Sequence, residues 1–219
     1  MPKHIFIVDD HPIMRKGYQA LLNREPDLQV CGEAGTAEEA LDRIPRVTPP
    51  PDLVVVDLSM EGMSGIELIK RLQSIRPDLP VLVVSMHDEM LYAERAVRAG
   101  ARGYIMKKEV DTTVIRAIRK ILGGGFYLSE RMNNHLMFQY QGGGMQHRKS
   151  PIERLSDREL EVFELIGRGF STQEIAEALH ISPKTVETHR GRIKNKLAVH
   201  SSTELLQRAV HWAQGVGLQ

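Results

Sequence analysis

The sequence predicts an α/β domain followed by a small all-α domain, and a change in hydrophobic rhythm near residue 125 supports this division. Before that point, short runs rich in Val and Ile alternate with longer amphipathic stretches, whereas only helical patterns follow residue 155. Between the two halves, residues 139–151 read QYQGGGMQHRKSP, and three glycines among polar residues predict a flexible linker. We expect a first domain over residues 1–125, a linker with one short helix over 126–152, and a second domain over 153–219.

The five apolar runs of the first half are predicted to be strands of a parallel sheet. They cover residues 4–8, 28–33, 53–56, 81–84 and 102–106, and they are apolar at most positions, as strands buried on both faces are. An amphipathic helix is predicted after each strand, over residues 14–24, 36–44, 65–75, 89–100 and 112–124. Five βα units form a doubly wound (βα)5 fold, for which right-handed crossovers favour the strand order 2-1-3-4-5.

The second half is predicted to contain four helices, over residues 157–168, 172–179, 183–197 and 202–214, and residues 129–138 are predicted to form the short helix before the linker. Pro183 suits the first position of a helix, and Ser182 suits the cap before it. Two helices joined by a tight turn at residues 180–182 predict a helix-turn-helix. In that motif the second helix enters the major groove of DNA.

The composition excludes several classes of protein. The 29 Lys and Arg residues nearly balance the 28 Asp and Glu residues, so the overall charge indicates no particular partner. The single cysteine, Cys31, allows no intramolecular disulfide, and no spacing of Cys and His suits zinc. The N-terminus lacks the apolar core of a signal peptide, and no apolar run approaches the ~18 residues of a membrane span. We therefore expect a cytoplasmic protein without a membrane partner.

Polar side chains at the ends of four predicted strands indicate a phosphoryl-transfer site. Ligands in such sheets lie beyond the carboxyl ends of the strands, where this chain places Asp9, Asp10, Asp57, Ser85 and Lys107. Three carboxylates held together need a cation, and oxygen ligands suit Mg²⁺. Asp57 stands alone on its strand and is the expected phosphoryl acceptor, while Asp9 and Asp10 are expected to hold the metal. Lys107 is expected to balance the phosphoryl charge, and Ser85 to contact a phosphoryl oxygen.

The segments IFIVDDHPIMRKGYQALL, DLVVVDLSMEGMSGIEL, VLVVSMHDE and GARGYIMKK resemble the receiver domain of bacterial response regulators, over residues 4 to about 123. The resemblance implies that Asp57 accepts phosphate from a histidine kinase. It also implies that Mg²⁺ is bound by Asp10, by Asp57 and by the backbone carbonyl of Ser59. Asp9 would then act on the metal mainly through water.

The same resemblance assigns further roles around the site. Ser85 and Tyr104 match the family's switch pair, in which the first side chain turns toward the phosphoryl group and the second turns inward. Ser59 and His87 match positions that flank the path of the hydrolytic water, so they are expected to tune dephosphorylation. The chain departs from the family twice: Glu61 stands where proline is common, and Lys108 stands where many receivers have a cis proline.

The helix predicted over residues 183–197 is a basic rod, with five Lys and Arg residues against one Glu, whereas residues 153–179 carry seven acidic residues against three Arg. Its apolar residues Val186, Ile193 and Leu197 fall on one face. The expected DNA contacts are on the remaining surface: Lys184, Thr185, Glu187, Thr188, Arg190, Gly191, Arg192 and Lys194. Lys184, Arg190, Arg192 and Lys194 are expected to contact DNA phosphates, although each is also able to form bidentate hydrogen bonds with a guanine. Glu187 is expected to accept a hydrogen bond from a base, such as the amine of cytosine. The alternative is that it pairs with Arg190 or Arg192 along the helix.

The segment LSDRELEVFELIGRGFSTQEIAEALHISPKTVETHRGRIKNKL resembles the LuxR-type helix-turn-helix, over residues 153 to about 213. Together the two halves resemble a response regulator of the NarL/FixJ type. This resemblance implies double-stranded promoter DNA, a sensor histidine kinase, a homodimer formed on phosphorylation and RNA polymerase as partners. The last helix is often the dimer contact in that family, so Leu205, Leu206, Ala209 and Trp212 are candidates for either dimer or intradomain packing.

Two other functions remain open at the level of sequence. Aspartyl-nucleophile phosphohydrolases also combine Asp, Ser or Thr, Lys and an acid pair, but they usually carry Asp-x-Asp on the first strand. Here the candidate nucleophile lies on the third strand, in Asp57-Leu58-Ser59. The other alternative is a signalling adaptor whose helical tail binds protein. A phosphorylation-controlled transcription factor, with no metabolic enzyme activity, is the function that the sequence favours.

Overall fold

The computed structural model describes residues 1–109, 111–141 and 151–213. The chain divides into two compact units, Met1–Gly143 and Gly144–Gln219. The first unit is an α/β fold and the second is helical.

Five parallel strands form the sheet of the first unit: β1 (Lys3–Val8), β2 (Leu28–Ala34), β3 (Leu53–Val56), β4 (Val81–Ser85) and β5 (Gly103–Met106). The strand order is β2-β1-β3-β4-β5, which confirms the predicted topology. Every residue of β3 and β4 is buried, as expected for central strands covered on both faces. Ser85 is the last residue of β4 rather than the residue after it, because its pairing with Met106 continues the ladder.

Six helices surround this sheet: α1 (Pro12–Leu22), α2 (Ala37–Arg43), α3 (Gly65–Ile75), α4 (Glu89–Ala99), α5 (Asp111–Leu122) and α6 (Glu130–Gln141). Local capping explains where several begin, since the side chains of Thr36, Ser64 and Asp88 accept hydrogen bonds from backbone N–H groups in the first turns of α2, α3 and α4. Helix α1 begins two residues earlier than predicted, because Pro12 occupies its first turn. Gly100 caps the C-terminus of α4, and its φ of 114° lies in the left-handed region that favours glycine.

Residues after 125 continue the first unit, whereas the sequence predicts that its domain ends there. Tyr127 extends the edge of β5: its N–H donates to the carbonyl of Arg102 at 2.9 Å, and its carbonyl accepts from Tyr104 N at 2.9 Å. Helix α6 then packs on α4, with Met132 fully buried. The helix predicted over 129–138 thus begins at Glu130 and extends to Gln141. Of the remaining predicted linker residues, 142–150 lie outside the described residues, whereas Pro151 and Ile152 belong to the 3-10 helix that opens the second unit.

The second unit begins with a short 3-10 helix, Pro151–Arg154, and contains α7 (Asp157–Gly167), α8 (Thr172–Ala178), α9 (Pro183–Leu197) and α10 (Ser202–Ala213). Capping boxes start α7 and α8, where Ser156 and Ser171 exchange hydrogen bonds with the glutamates three residues later. Helix α9 buries Val186, Ile193 and Leu197, the apolar face that the sequence predicts. Helices α8 and α9 are joined by a tight turn, as expected for a helix-turn-helix.

Among the described residues, no helix is both long enough and apolar enough to cross a lipid bilayer.

Candidate functional site

The centre of the first unit's candidate site is a buried ammonium held between two carboxylates. Lys107, in the 3-10 turn Lys107–Glu109 after β5, places Nζ 2.7 Å from Asp57 Oδ2 and 2.8 Å from Asp9 Oδ2. The carboxylates follow β3 and β1, which are neighbours in the sheet. Both acidic side chains are 2% exposed and that of Lys107 is 7% exposed, so solvent screens their charges little.

Burial raises the pKa of the Asp57 carboxyl to about 6, and the charge of Asp9 adds to this while Lys107 opposes it. Burial alone would lower the pKa of Lys107, but the charge and hydrogen bonds of Asp57 and Asp9 outweigh it and raise the pKa. At neutral pH this places an ionised carboxylate beside an ammonium. The carboxylate is the nucleophilic form, and the ammonium lies where negative charge develops during phosphoryl transfer.

Four side chains beside Lys107 are close enough to share one cation. Asp9, Asp10, His11 and Asp57 each offer a ligand atom, and these atoms lie within 4.8 Å of one another. Asp10 Oδ1 is buried, and His11 Nδ1 lies 2.5 Å from it. The carboxylate oxygens suit Mg²⁺, which prefers oxygen ligands. Sequence reasoning missed His11, for which the only signal is its position directly after the acid pair.

A chain of hydrogen bonds runs from Asp57, the expected acceptor, through Ser59 to the predicted switch residues. Ser59 N donates to Asp57 Oδ1 at 3.3 Å, and Ser59 Oγ shares a hydrogen bond of 2.8 Å with His87 Nε2. The backbone N–H of His87 donates to Ser85 Oγ at 3.3 Å. Tyr104 is buried, and its hydroxyl donates to the carbonyl of His87 at 3.0 Å. His87 therefore links Ser59 to both switch residues.

The two residues that depart from the receiver pattern lie at the edge of this site. Glu61 is exposed in the loop between β3 and α3. Lys108 is exposed in the 3-10 turn whose first residue, Lys107, enters the pocket. The turn without a cis proline at Lys108 thus still directs the ammonium of Lys107 toward Asp57.

In the second unit, the outer surface of α9 carries the predicted DNA contacts in two groups. Four side chains are exposed: Lys184, Glu187, Thr188 and Arg192. Four residues are half-buried: Thr185, Arg190, Gly191 and Lys194. The Thr188 hydroxyl donates to the carbonyl of Lys184 at 2.9 Å, so local backbone already satisfies it. Lys196, which adds to the predicted basic rod, instead places Nζ 2.6 Å from the buried Glu159 of α7.

Glu187 has two described partners. It accepts a hydrogen bond from Thr172 Oγ1 at 2.8 Å, and its Oε1 lies 3.7 Å from Arg190 Nε. The alternative partner Arg190 is therefore adjacent to it, as the sequence analysis allows. Sequence reasoning missed Thr172, because this residue is 15 positions away from Glu187 in the chain.

Of the four candidate contact residues in α10, three pack within their own unit. Leu205 and Ala209 are fully buried, and Trp212 packs against Phe163 of α7 with a ring-centroid distance of 5.4 Å. Leu206 is 42% exposed. Leu206 is therefore the candidate left on the surface of α10, while the other three pack within the helical unit.

Comparisons with known proteins agree with both halves of this description. Residues 5–119 match the response regulator receiver domain, and residues 153–209 match bacterial regulatory proteins of the luxR family. The chain is 35% identical to the oxygen regulatory protein NreC of Staphylococcus carnosus, over 94% of this chain and 96% of that protein.

Solved structures resemble the chain over nearly its whole length. RcsB from Salmonella enterica serovar Typhimurium, bound to promoter rprA in the presence of phosphomimetic BeF3⁻, is similar with a TM-score of 0.62 and 25% identity. That match covers 96% of this chain and 99% of RcsB. A structure of two RcsB dimers bound to two parallel DNAs is similar with a TM-score of 0.57 and 26% identity, over 94% of this chain and 97% of that one.

Proposed function

Because this chain belongs to the response regulators in which a receiver domain precedes a LuxR-type DNA-binding domain, we propose that phosphorylation of Asp57 controls its binding to promoter DNA. The phosphoryl donor is a sensor histidine kinase. The family consists of transcription regulators and not of metabolic enzymes, so the phosphohydrolase alternative does not apply.

The observation that carries the proposal is the placement of Lys107 Nζ against both Asp57 and Asp9, at 2.7 and 2.8 Å. A carboxylate oxygen of Asp57 forms the bond to phosphorus while the bond between phosphorus and the kinase histidine nitrogen breaks. The Lys107 ammonium then stabilises charge on the phosphoryl oxygens. Ser85 lies at the end of the adjacent strand β4 and is the proposed hydroxyl partner of a phosphoryl oxygen.

Asp10 and Asp57 are the proposed side-chain ligands of Mg²⁺, together with the backbone carbonyl of Ser59, and Asp9 is proposed to act on the metal mainly through water. The clustering of these acidic side chains supports this set, because their ligand atoms lie within 4.8 Å of one another and one cation would contact them together. When bound, Mg²⁺ neutralises charge on the transferring phosphoryl group. Asp9 is already paired with Lys107, which supports an indirect role for it at the metal, through water.

The surface of α9 is the proposed DNA contact, through the eight residues that the sequence analysis names. Lys184, Arg192 and Lys194 are the proposed phosphate contacts, since long cations reach the backbone and release counterions. The major groove of the DNA would be approached closely by Thr185, Thr188 and Gly191. The DNA-bound dimers of RcsB support a homodimer, for which the exposed Leu206 of α10 is the proposed contact. RNA polymerase is a further proposed partner, and the cytoplasm is the proposed location.

The proposal is tested by selecting DNA sites from a random duplex library, with and without prior treatment of the protein with acetyl phosphate and Mg²⁺. We expect one sequence to be enriched, and treatment to raise affinity for it. Asp57→Asn should select the same sequence without any response to treatment. Recovery of no preferred sequence in either state would contradict the proposed function, as would an equal response of the Asp57→Asn variant.

A further inference from the structure

Three side chains join the two helices of the helix-turn-helix in a closed set of contacts. Thr172, the first residue of α8, donates from Oγ1 to Glu187 Oε1 at 2.8 Å. Thr172 Oγ1 also accepts a hydrogen bond from Arg190 Nη1 at 3.2 Å. Arg190 Nε lies 3.7 Å from Glu187 Oε1, which closes the triangle. One hydroxyl of α8 thus contacts two side chains that stand three residues apart on α9.

Burial and charge differ between the two members on α9. The Arg190 side chain is 16% exposed, whereas that of Glu187 is 60% exposed. The described contacts of Arg190 engage Nη1 and Nε and leave Nη2 without a protein partner. An arginine whose position is restrained by contacts at two of its nitrogens presents its remaining donors in a preferred direction, which suits a phosphate oxygen.

We propose that Thr172 and Glu187 are positioning residues, which hold the guanidinium of Arg190 ready for a phosphate of the DNA backbone. An unrestrained arginine loses rotamer freedom when DNA binds, whereas one already held by the protein loses less. Thr172 therefore contributes to DNA affinity through Arg190. This inference rests on the proposed placement of α9 against DNA.

The proposal changes the expected role of Glu187. A carboxylate directed freely at DNA would be repelled by phosphates, and a contact with a cytosine amine would offset that cost. Here its Oε1 instead accepts a hydrogen bond from Thr172 and lies 3.7 Å from Nε of Arg190, so both neighbours offset part of its charge. Glu187 accordingly sets the position of Arg190 and does not choose the base.

A double-mutant cycle on the selected duplex tests the link between Thr172 and Arg190. Thr172→Val removes both hydrogen bonds of the hydroxyl and should weaken binding by about three- to tenfold, roughly the value of ordering one long side chain. In an Arg190→Ala background the same change should have no effect, because nothing remains to be positioned. Thr172→Ser keeps the hydroxyl and should bind like the unaltered chain. Equal losses in both backgrounds, or no loss in the unaltered one, would overturn the proposal.

A second experiment does not depend on how well the valine variant folds. Glu187→Gln keeps an oxygen that accepts from Thr172, but its amide group presents a different hydrogen-bond pattern to a base. Site selection with this variant should return the sequence that the unaltered chain selects. A changed preference at one base pair would show that Glu187 reads a base, and the proposal would be wrong.

Thr203→Val is the matched control, because Thr203 is an exposed threonine in α10 of the same unit. It should leave DNA affinity unchanged. Failure of this inference is distinguishable from failure of the proposed function. A chain that selects no duplex contradicts the placement of α9 at DNA, whereas additive effects of Thr172→Val and Arg190→Ala in a chain that binds contradict only the positioning role.

Discussion

The charges of individual residues favour the binding of a cation at the receiver site. Asp9 and Asp57 are both 2% exposed, and the ammonium of Lys107 contacts both of them, so two buried carboxylates face one buried ammonium. Asp10 adds another acidic group beside them, since one of its oxygens lies within 4.8 Å of the ligand atoms of Asp9 and Asp57. Isolated buried charge is costly, and a divalent cation compensates for two carboxylates at once.

Asp57→Asn should abolish labelling by a radioactive phosphodonor such as acetyl phosphate, because an amide is not a nucleophile toward phosphorus. The fold should survive, since an amide has nearly the same size as the carboxylate. Far-ultraviolet circular dichroism checks the fold. Asp42→Asn is the control: Asp42 is exposed on α2 and paired with Arg46, and its variant should label like the unaltered chain. Stable labelling of Asp57→Asn with Mg²⁺ present would refute the acceptor assignment.

Replacing both Ser59 and His87 by Ala should accelerate loss of the phosphoryl group. These side chains share a hydrogen bond of 2.8 Å, and the His87 ring stacks on Tyr92 with centroids 4.2 Å apart, so the pair is held in place beside Asp57. Their removal opens a path for water, and a barrier lowered by ~1 kcal/mol corresponds to a roughly fivefold faster rate. Decay of labelled protein measures the rate, and Mg²⁺ affinity should barely change. An unchanged decay rate would exclude both residues from the mechanism.

Lys194→Ala should weaken binding to all duplexes alike and lower the slope of log affinity against log salt by about 1, as expected for one lost phosphate contact. Titrations at several salt concentrations measure the slope. Lys16→Ala, a change at an exposed lysine of α1, should leave it unaltered. A change in the preferred sequence, with the slope intact, would show that Lys194 contacts a base.

At the scale of the elements, the helices of the second unit are joined by a few polar contacts that act at helix ends. Glu159 closes the capping box of α7 by accepting from Ser156 N at 2.7 Å, and the same oxygen accepts from Lys196 of α9 at 2.6 Å. Burial raises the pKa of Glu159, but Lys196 and the Ser156 N–H more than offset this and lower it below the usual value. The carboxylate of Glu159 thus both caps the start of α7 and joins α7 to α9, the proposed DNA-contact helix.

Glu159→Gln should destabilise the second unit by ~1–3 kcal/mol, because hydrogen bonds to a charged group are replaced by neutral ones. A carboxyl whose pKa is lowered by folding stabilises the fold above its unfolded pKa and loses that effect as pH falls through the folded value. The unaltered chain should therefore lose stability below about pH 4.5. The variant should lack this part of the pH dependence.

Urea unfolding followed by tryptophan fluorescence measures this effect selectively, because Trp212 is the chain's one tryptophan and packs on Phe163 of α7. Glu177→Gln provides a matched change at an exposed glutamate of α8 and should stay within about 0.5 kcal/mol of the unaltered chain. Equal stability of the Glu159→Gln chain at pH 7 would contradict the role assigned to Glu159.

For the whole molecule, control of DNA binding requires an element with two arrangements that the phosphoryl group biases. In the first unit, Tyr104 connects the site to the end of that unit: its hydroxyl donates to His87, and its backbone N–H donates to Tyr127, three residues before α6. Helix α6 packs on α4. We therefore expect a displacement of α4 or β5 to shift α6, the last helix of the first unit. This is the surface through which we expect phosphorylation to act.

Phosphorylation should raise the affinity of the dimer, the affinity for DNA, or both, by about 5- to 150-fold, the usual range of coupling between sites. Analytical ultracentrifugation and DNA titrations of the chain, before and after acetyl phosphate, measure the two affinities. The Asp57→Asn chain should behave identically in both conditions. Identical behaviour of the unaltered chain in both conditions would exclude this mechanism of control.

Local pattern alone was enough to predict the sheet, its order and the helix-turn-helix. Runs such as Leu53–Val56, which are apolar at every position, are typical of strands covered on both faces. Right-handed crossovers between parallel strands then favour the strand order 2-1-3-4-5. The carboxyl ends of adjacent parallel strands lie at one edge of the sheet, which is why Asp9, Asp57 and Lys107 were predicted to meet. These features depend on the backbone, whose hydrogen bonding allows few solutions.

Which side chains pair was decided by tertiary packing. Lys196 belongs to a basic helix by sequence, yet it is paired with Glu159, 37 residues away. Glu187 has Thr172 as a partner across the turn, and Met132 is buried although it lies in a segment that reads as a linker. A sequence pattern fixes the face on which a residue lies. The choice among competing partners depends on differences of a few tenths of an ångström in the spacing between elements. That spacing is set only when the helices and the sheet have packed.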